Sequence, residues 1–263
     1  MDKENLEKIK VIDKIRLYEK TNKLVATNFL DPREVFELES IYKNYPHSIF
    51  GGYDEAERKL LVIGDDEANF EEYISVIEIE TSSKKELSHR EVLGSILGLG
   101  IKRDVVGDII INGTKANVFI TKDILKYIIQ NLEKIGREKA IIKEIKLEEV
   151  SPVEKELTEL KTTVASLRID AIVSSCYGIS REESAILIKN GKVNLNYKEV
   201  QSSSKQVKEG DLISVRGFGR FVLESVLGET RKDRIRVVIN KYGKWFSFLK
   251  GAVFNGWFNR NGN

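Results

Sequence analysis

The sequence predicts an α+β protein built in three parts, and three observations predict it. Strand-like and helix-like segments alternate between residues 73 and 147. Two short capped helices, followed by short strands, fill residues 167–223. The charge is also divided by sign. Residues 161–263 hold 18 Lys and Arg against 9 Asp and Glu, a net of +9, whereas residues 1–160 hold 25 against 32, a net of −7. The overall charge of +2 conceals this split. The C-terminal half is therefore the expected contact for a polyanion.

The first part, residues 1–74, reads as mixed and largely helical. LEKIKVIDKIRLYEKT places Leu6, Ile9, Ile12 and Ile15 at helical spacing. Asp31 followed by Pro32 reads as an N-cap with proline at the first helical position. Gly51-Gly52 punctuates the chain, and KLLVIG reads as a strand.

The second part, residues 75–147, has a clearer rhythm. YISVIEIE alternates as a strand does, and SHREVLGSILGLG is a helix whose Ser88 and Glu91 form a capping box. GDIIING and KANVFITK are strands joined at Asn112-Gly113, a hairpin signal. KDILKYIIQNLEKIGRE reads as one long amphipathic helix, and AIIKEIKL as the closing strand. The order βαββαβ is the ferredoxin-like plan, which RNA-recognition motifs share. The aromatic-rich signatures of those motifs are missing, since the third strand offers only Phe119. The domain is expected to have the fold without the base-stacking platform.

Residues 148–164 read as a charged linker, residues 165–242 as a basic module, and residues 243–263 as an aromatic and basic tail. In the module's first helix, Ile169, Ile172, Val173 and Cys176 form an apolar stripe, and Arg168 falls off it. Ser180 caps the second helix and Glu183 completes a capping box. Arg181 then sits in the first turn, where a cation opposes the helix dipole. An anion supplied from outside would explain it, and helix N-termini favour phosphate. Lys189 and Lys192 flank Asn190-Gly191. Projected along one helix, Arg181 and Lys192 share an angle and Lys189 lies under a quarter turn away, which predicts a basic stripe. Arg216 and Arg220 bracket Gly217-Phe218-Gly219, where a phosphate could approach the backbone closely.

These segments resemble the RNA-binding domain named after ribosomal small-subunit protein four, the S-four domain. The resemblance rests on LRID, SREESAILIKNG with the following KVNLN, and GDLISVRGFGR, and it covers about 60 residues. In that domain two helices form the RNA-facing surface. The resemblance implies Arg168, Ser180, Arg181, Lys189 and Lys192 as contacts, with Arg216 and Arg220 as additions. The plainer reading of each is a solvated charged face.

FLDPRE, FGGYDEAER and LGLGIKRDVVGDI, in this order ahead of such a domain, resemble the YlmH family of bacteria over residues 25–242. That resemblance implies an RNA-binding protein in three parts, with no enzymatic activity and no cofactor. It further implies structured RNA as the partner: rRNA of the large ribosomal subunit, and tRNA, in translation or in rescue and quality control of stalled complexes. Family members usually stop soon after a segment like RIRVVINKYG, but here KWFSFLKGAVFNGWFNRNGN continues. Trp245, Phe248, Leu249 and Ala252 of that tail fit one helical face.

Other chemistry finds little support. The one cysteine, Cys176, lies on the apolar stripe and reads as a buried thiol, and His47 and His89 are isolated, so no metal cluster is expected. Gly94, Gly98 and Gly100 precede no Gly-Lys-Ser/Thr and follow no strand, so neither nucleotide-loop pattern is met. Lys102 and Arg103 beside that turn are candidate second RNA contacts, against the reading of a plain surface loop. No apolar run is long enough to span a membrane, MDKENLEKIK does not resemble a signal peptide, and a lone cysteine suits a reducing compartment, so a cytoplasmic location is expected. Two other function classes compete with the adaptor: an RNA-modifying enzyme or its accessory subunit, and a cell-division scaffold suggested by the aromatic tail.

Overall fold

The structure is a computed structural model that describes residues 3–82, 85–150 and 157–242. The aromatic tail lies outside the described residues. The chain divides into two compact units, Met1–Val153 and Glu154–Asn263. The two N-terminal parts expected to end and begin at residues 74 and 75 share the first unit.

The first unit opens with α1 (Lys3–Thr21), β1 (Val25–Ala26), α2 (Pro32–Tyr42), β2 (His47–Phe50) and β3 (Leu60–Ile63). The three strands form an antiparallel sheet in the order β1-β3-β2. Asp31 caps α2: its carboxylate accepts the Glu34 N–H at 2.9 Å, and Glu34 accepts the Asp31 N–H at 2.7 Å. On α1 the buried stripe is Val11 and Ile15, with Tyr18 packed beside them, while Leu6 and Ile9 are exposed. Two neighbouring stripes of LEKIKVIDKI are apolar, and the packing of α2 and β3 selects the one carrying Val11 and Ile15.

The second sheet follows, with β4 (Ile74–Thr81), α3 (His89–Leu97), β5 (Val106–Asn112), β6 (Lys115–Thr121), α4 (Leu125–Asn131), β7 (Lys134–Ile135) and β8 (Glu138–Ile145). Its order, β5-β6-β4-β8-β7, with every neighbouring pair antiparallel, is the ferredoxin-like arrangement. Ile77, Ile79, Val118 and Ile120 face α3 and α4 in one core. Val76 and Phe119 point the other way and meet Leu60 and Val62 of the first sheet, with Phe29 from the segment between β1 and α2. β3 is thus buried on both faces, Leu61 and Ile63 beneath α1 and α2, Leu60 and Val62 against the second sheet.

The expected long helix over KDILKYIIQNLEKIGRE is corrected here. The helix stops at Asn131, and the β7–β8 hairpin turns at Gly136, whose N–H donates to Ser95 Oγ at 3.0 Å. Leu125, Ile128, Leu132 and Ile135 recur at helical spacing, and all four enter the same core, the last two from non-helical backbone. The apolar pattern is satisfied by either geometry, so periodicity alone misreads it.

The second unit contains β9 (Leu157–Val164), α5 (Ile169–Tyr177), α6 (Arg181–Lys189), β10 (Val193–Leu195), β11 (Lys198–Glu199), β12 (Leu212–Val215), β13 (Gly219–Glu229) and β14 (Ile235–Tyr242). The sheet order is β11-β10-β12-β13-β14-β9. The linker expected over 148–164 is therefore too long. Its last eight residues pair with the whole of β14, and Leu160 and Val164 pack onto the core. Apolar residues of α5 (Ile169, Ile172, Val173 and Cys176) and Ile188 of α6 close over Phe221, Leu223 and Ile239 of the sheet. Burial pushes the Cys176 thiol up to about 12, against a smaller opposing influence from Lys241. We expect iodoacetamide to leave Cys176 unmodified in the native chain and to label it fully in denaturant, as mass spectrometry would show.

Candidate nucleic-acid interface

The candidate interface lies where the starts of α5 and α6 meet. Arg168 is the N-cap residue of α5, and its guanidinium grips Asp170 two residues on: Nε to Oδ1 at 3.2 Å and Nη2 to Oδ2 at 3.0 Å. Arg181, the first residue of α6, donates from Nη2 to the same Oδ2 at 2.8 Å. Asp170 is 7% exposed at its side chain, whereas Arg168 and Arg181 are 37% and 50% exposed. A buried carboxylate thus holds two half-exposed guanidiniums side by side. Burial alone would raise the Asp170 carboxyl, but the bonds and charges of Arg168 and Arg181 outweigh it and hold the group below the usual range. Each arginine keeps N–H donors that Asp170 does not engage. Such a pre-oriented pair suits phosphate oxygens.

The anion that accounts for Arg181 at a helix start is therefore Asp170, from within the chain, and not an outside phosphate alone. An acidic residue in the first turn of α5, with arginine two before and eleven after, was the signal available in the sequence. Ser180 plays a local part. Its hydroxyl accepts the Glu183 N–H at 3.1 Å, and Glu183 returns to the Ser180 N–H at 2.8 Å.

The continuous basic stripe along α6 does not form. The helix ends at Lys189, about 12 Å along the axis from Arg181. Lys192 lies past the Asn190-Gly191 turn, where its carbonyl accepts the Arg216 N–H at 2.8 Å. Lys189, Lys192 and Arg216 are exposed and have no ionic partner among the described residues. Arg220 lies over the Tyr242 ring, 4.9 Å from its centre. A residue that sequence reasoning missed is Lys205. Its carbonyl accepts the Ile169 N–H at 2.8 Å, and the Ser203 carbonyl accepts the Asp170 N–H at 3.4 Å. The loop carrying Lys205 is thereby fastened to the start of α5, a contact with no local sequence signal.

In the first unit, Arg103 is turned inward. It donates to the Val106 carbonyl and to Gly107 O at 3.2 Å. Burial first, and then the neighbouring Arg58 cation, lower its guanidinium to about 10. Its Nη1 thus serves backbone carbonyls and the residue is half-buried, whereas Lys102 beside it is exposed. Asp108 accepts from Tyr53 Oη at 2.9 Å and from the N–H groups of Glu57 (2.7 Å) and Arg58 (3.1 Å). Arg58 in turn donates to Phe29 O at 2.7 Å and Val106 O at 3.1 Å. The motifs FLDPRE, FGGYDEAER and LGLGIKRDVVGDI thus meet in one structural knot that joins the two sheets.

Two capped helices with an anchored arginine pair, laid on a small antiparallel sheet, define an RNA-binding module of the S-four class. Comparison with known proteins agrees with that class. Residues 167–213 match the S4 domain, and residues 66–149 match the putative RNA-binding domain in YlmH. The chain is 32% identical over 234 residues to the ribosome-associated protein quality control protein P2 of Bacillus subtilis (strain 168), across 86% of this chain and 90% of that one. The solved structure of the cell division protein ylmH from Streptococcus pneumoniae aligns at a TM-score of 0.50 and 25% identity, over 57% of this chain and 97% of that one. The chain belongs to the YlmH family.

Proposed function

We propose that this protein is a ribosome-associated RNA-binding adaptor in translation quality control, acting without chemistry of its own in a cytoplasmic setting. The observation that carries the reading is the Asp170-anchored pair Arg168 and Arg181 in a module that matches the S4 domain. The name of the Bacillus subtilis relative, a ribosome-associated quality control protein, supplies the setting. In this reading the arginines take phosphates of structured rRNA in the large subunit, with Lys189, Lys192, Lys205 and Arg216 adding to the field and Arg220 beside them. Bound tRNA is the neighbour that the family implies.

Co-sedimentation with separated ribosomal subunits across a salt series tests this. Wild-type protein should pellet with the large subunit, and log affinity should fall with log salt by about 0.9 for each phosphate neutralised. Arg181→Ala should bind roughly tenfold more weakly, the loss of about one charge-assisted bond. Full affinity in a folded Arg181→Ala protein would refute the site. No pelleting with either subunit would refute the ribosomal role. The name of the Streptococcus pneumoniae relative favours a second reading, in cell division. Flotation with membrane vesicles, with and without residues 244–263, separates the two.

A further inference from the structure

The turn between β12 and β13 presents a phenyl ring beside Arg216 in the chain. Arg216-Gly217-Phe218-Gly219 reverses the chain, with the Phe218 N–H donating to Val215 O at 3.0 Å. Gly217 and Gly219 both have positive φ, +89° and +117°, a conformation that side-chain-bearing residues rarely adopt. These glycines hold Phe218 at the tip, 36% exposed. The ring rests against Tyr177 with centres 5.1 Å apart and planes at 50°. Tyr177 in turn packs on Phe221 and carries the Lys241 ammonium 5.4 Å from its ring centre. Arg216 and Lys192, joined through their backbones, stand beside the turn with no ionic partner among the described residues.

A half-exposed aromatic ring backed by a second ring, in a turn that also carries Arg216, suits one kind of ligand. Paired bases hide their faces in the helical stack, whereas an unpaired base offers a π-face with phosphates on either side. Phe119, at the position of the ferredoxin-like sheet where an RNA-recognition motif would stack a base, is fully buried and cannot serve. We propose that Phe218 is a stacking site for an unpaired nucleobase of RNA, with Arg216 and Lys192 taking the flanking phosphates. The proposal rests on the RNA-binding reading and deepens it: the arginine pair holds the backbone of a structured element, and Phe218 selects an element with a base turned out.

The test uses the full chain and two short RNA hairpins, one fully paired and one with a single bulged 2-aminopurine. Wild-type protein should prefer the bulged hairpin about tenfold and change the probe's fluorescence on binding. Phe218→Leu, which keeps an apolar contact on Tyr177, should lose both the preference and the fluorescence change, with paired-hairpin affinity and melting temperature unchanged. Phe218→Tyr should retain both. Equal binding of the two hairpins by wild-type protein, or an undiminished preference in Phe218→Leu, would overturn the stacking site alone. If wild-type protein binds neither hairpin, the RNA-binding reading fails with it.

Discussion

Replacing both Arg168 and Arg181 by alanine will destabilise the protein by about 3 kcal/mol, apart from any effect on RNA. The reason is Asp170. Its carboxylate is 7% exposed, and among the described residues the bonds to its oxygens come from these two guanidiniums. Removing both leaves a buried charge without its partners, the costly half of a broken ion pair. Adding Asp170→Asn to the pair should recover about 2 kcal/mol, since a neutral amide tolerates burial better. The pH dependence changes sign as well. In the wild type the Asp170 carboxyl is held below its ordinary value, so its stabilisation is complete above that value and is lost as pH falls through the depressed one. In the double variant burial acts alone and raises the carboxyl, so stability increases as pH falls. Urea titrations of the three proteins from neutral to acid pH read both effects. A double variant as stable as wild type, with the same pH slope, would exclude the role given to Asp170. The practical consequence is that RNA binding by the double variant should be read beside that of the triple variant, in which the fold is recovered and only an effect on binding remains.

Gly52→Ala should cost the first unit a similar amount, about 3 kcal/mol. Gly52 has φ of +103°, and a Cβ built there would lie 2.3 Å from a ring carbon of Phe119. The strained backbone contributes about 1–2 kcal/mol and the overpacking about 1–3 kcal/mol. Phe119 has little room to yield. It is fully buried and stacked on Tyr53, with centres 5.1 Å apart and planes at 30°. Denaturant midpoints should therefore show strong coupling between the two positions. The same Gly52→Ala change made in a Phe119→Leu background should cost clearly less than in the wild type. Equal cost in both backgrounds would mean that the clash with Phe119 is not the source.

Features set within three or four residues were legible. The N-cap at Asp31 and the capping boxes of Ser88 with Glu91 and Ser180 with Glu183 all form, because each is a bond between near neighbours. The strand alternation of the second sheet also follows from local pattern, and its hairpin forms one residue on from the Asn112-Gly113 signal, with Gly113 and Thr114 in the turn. Misreadings arose where two geometries satisfy one pattern. Leu132 and Ile135 continue a helical period and yet reach the core from a hairpin, and Leu160 and Val164 alternate as a strand inside a segment whose charge suggested a linker.

The candidate site divides along the same line. Sequence by itself determined that the C-terminal half is basic, that arginine stands at the start of each of two helices, and that Phe119 lacks the aromatic companions of a stacking platform. Tertiary structure alone decided that Asp170 joins Arg168 to Arg181, that the Lys205 loop is fastened to α5, that Arg103 faces inward, and that Phe119 is buried beneath Gly52. Bonds between near neighbours depend on spacing, which a sequence states outright. Contacts between distant residues depend on which of several apolar faces the whole chain buries, and that choice is made by the summed packing of the sheets.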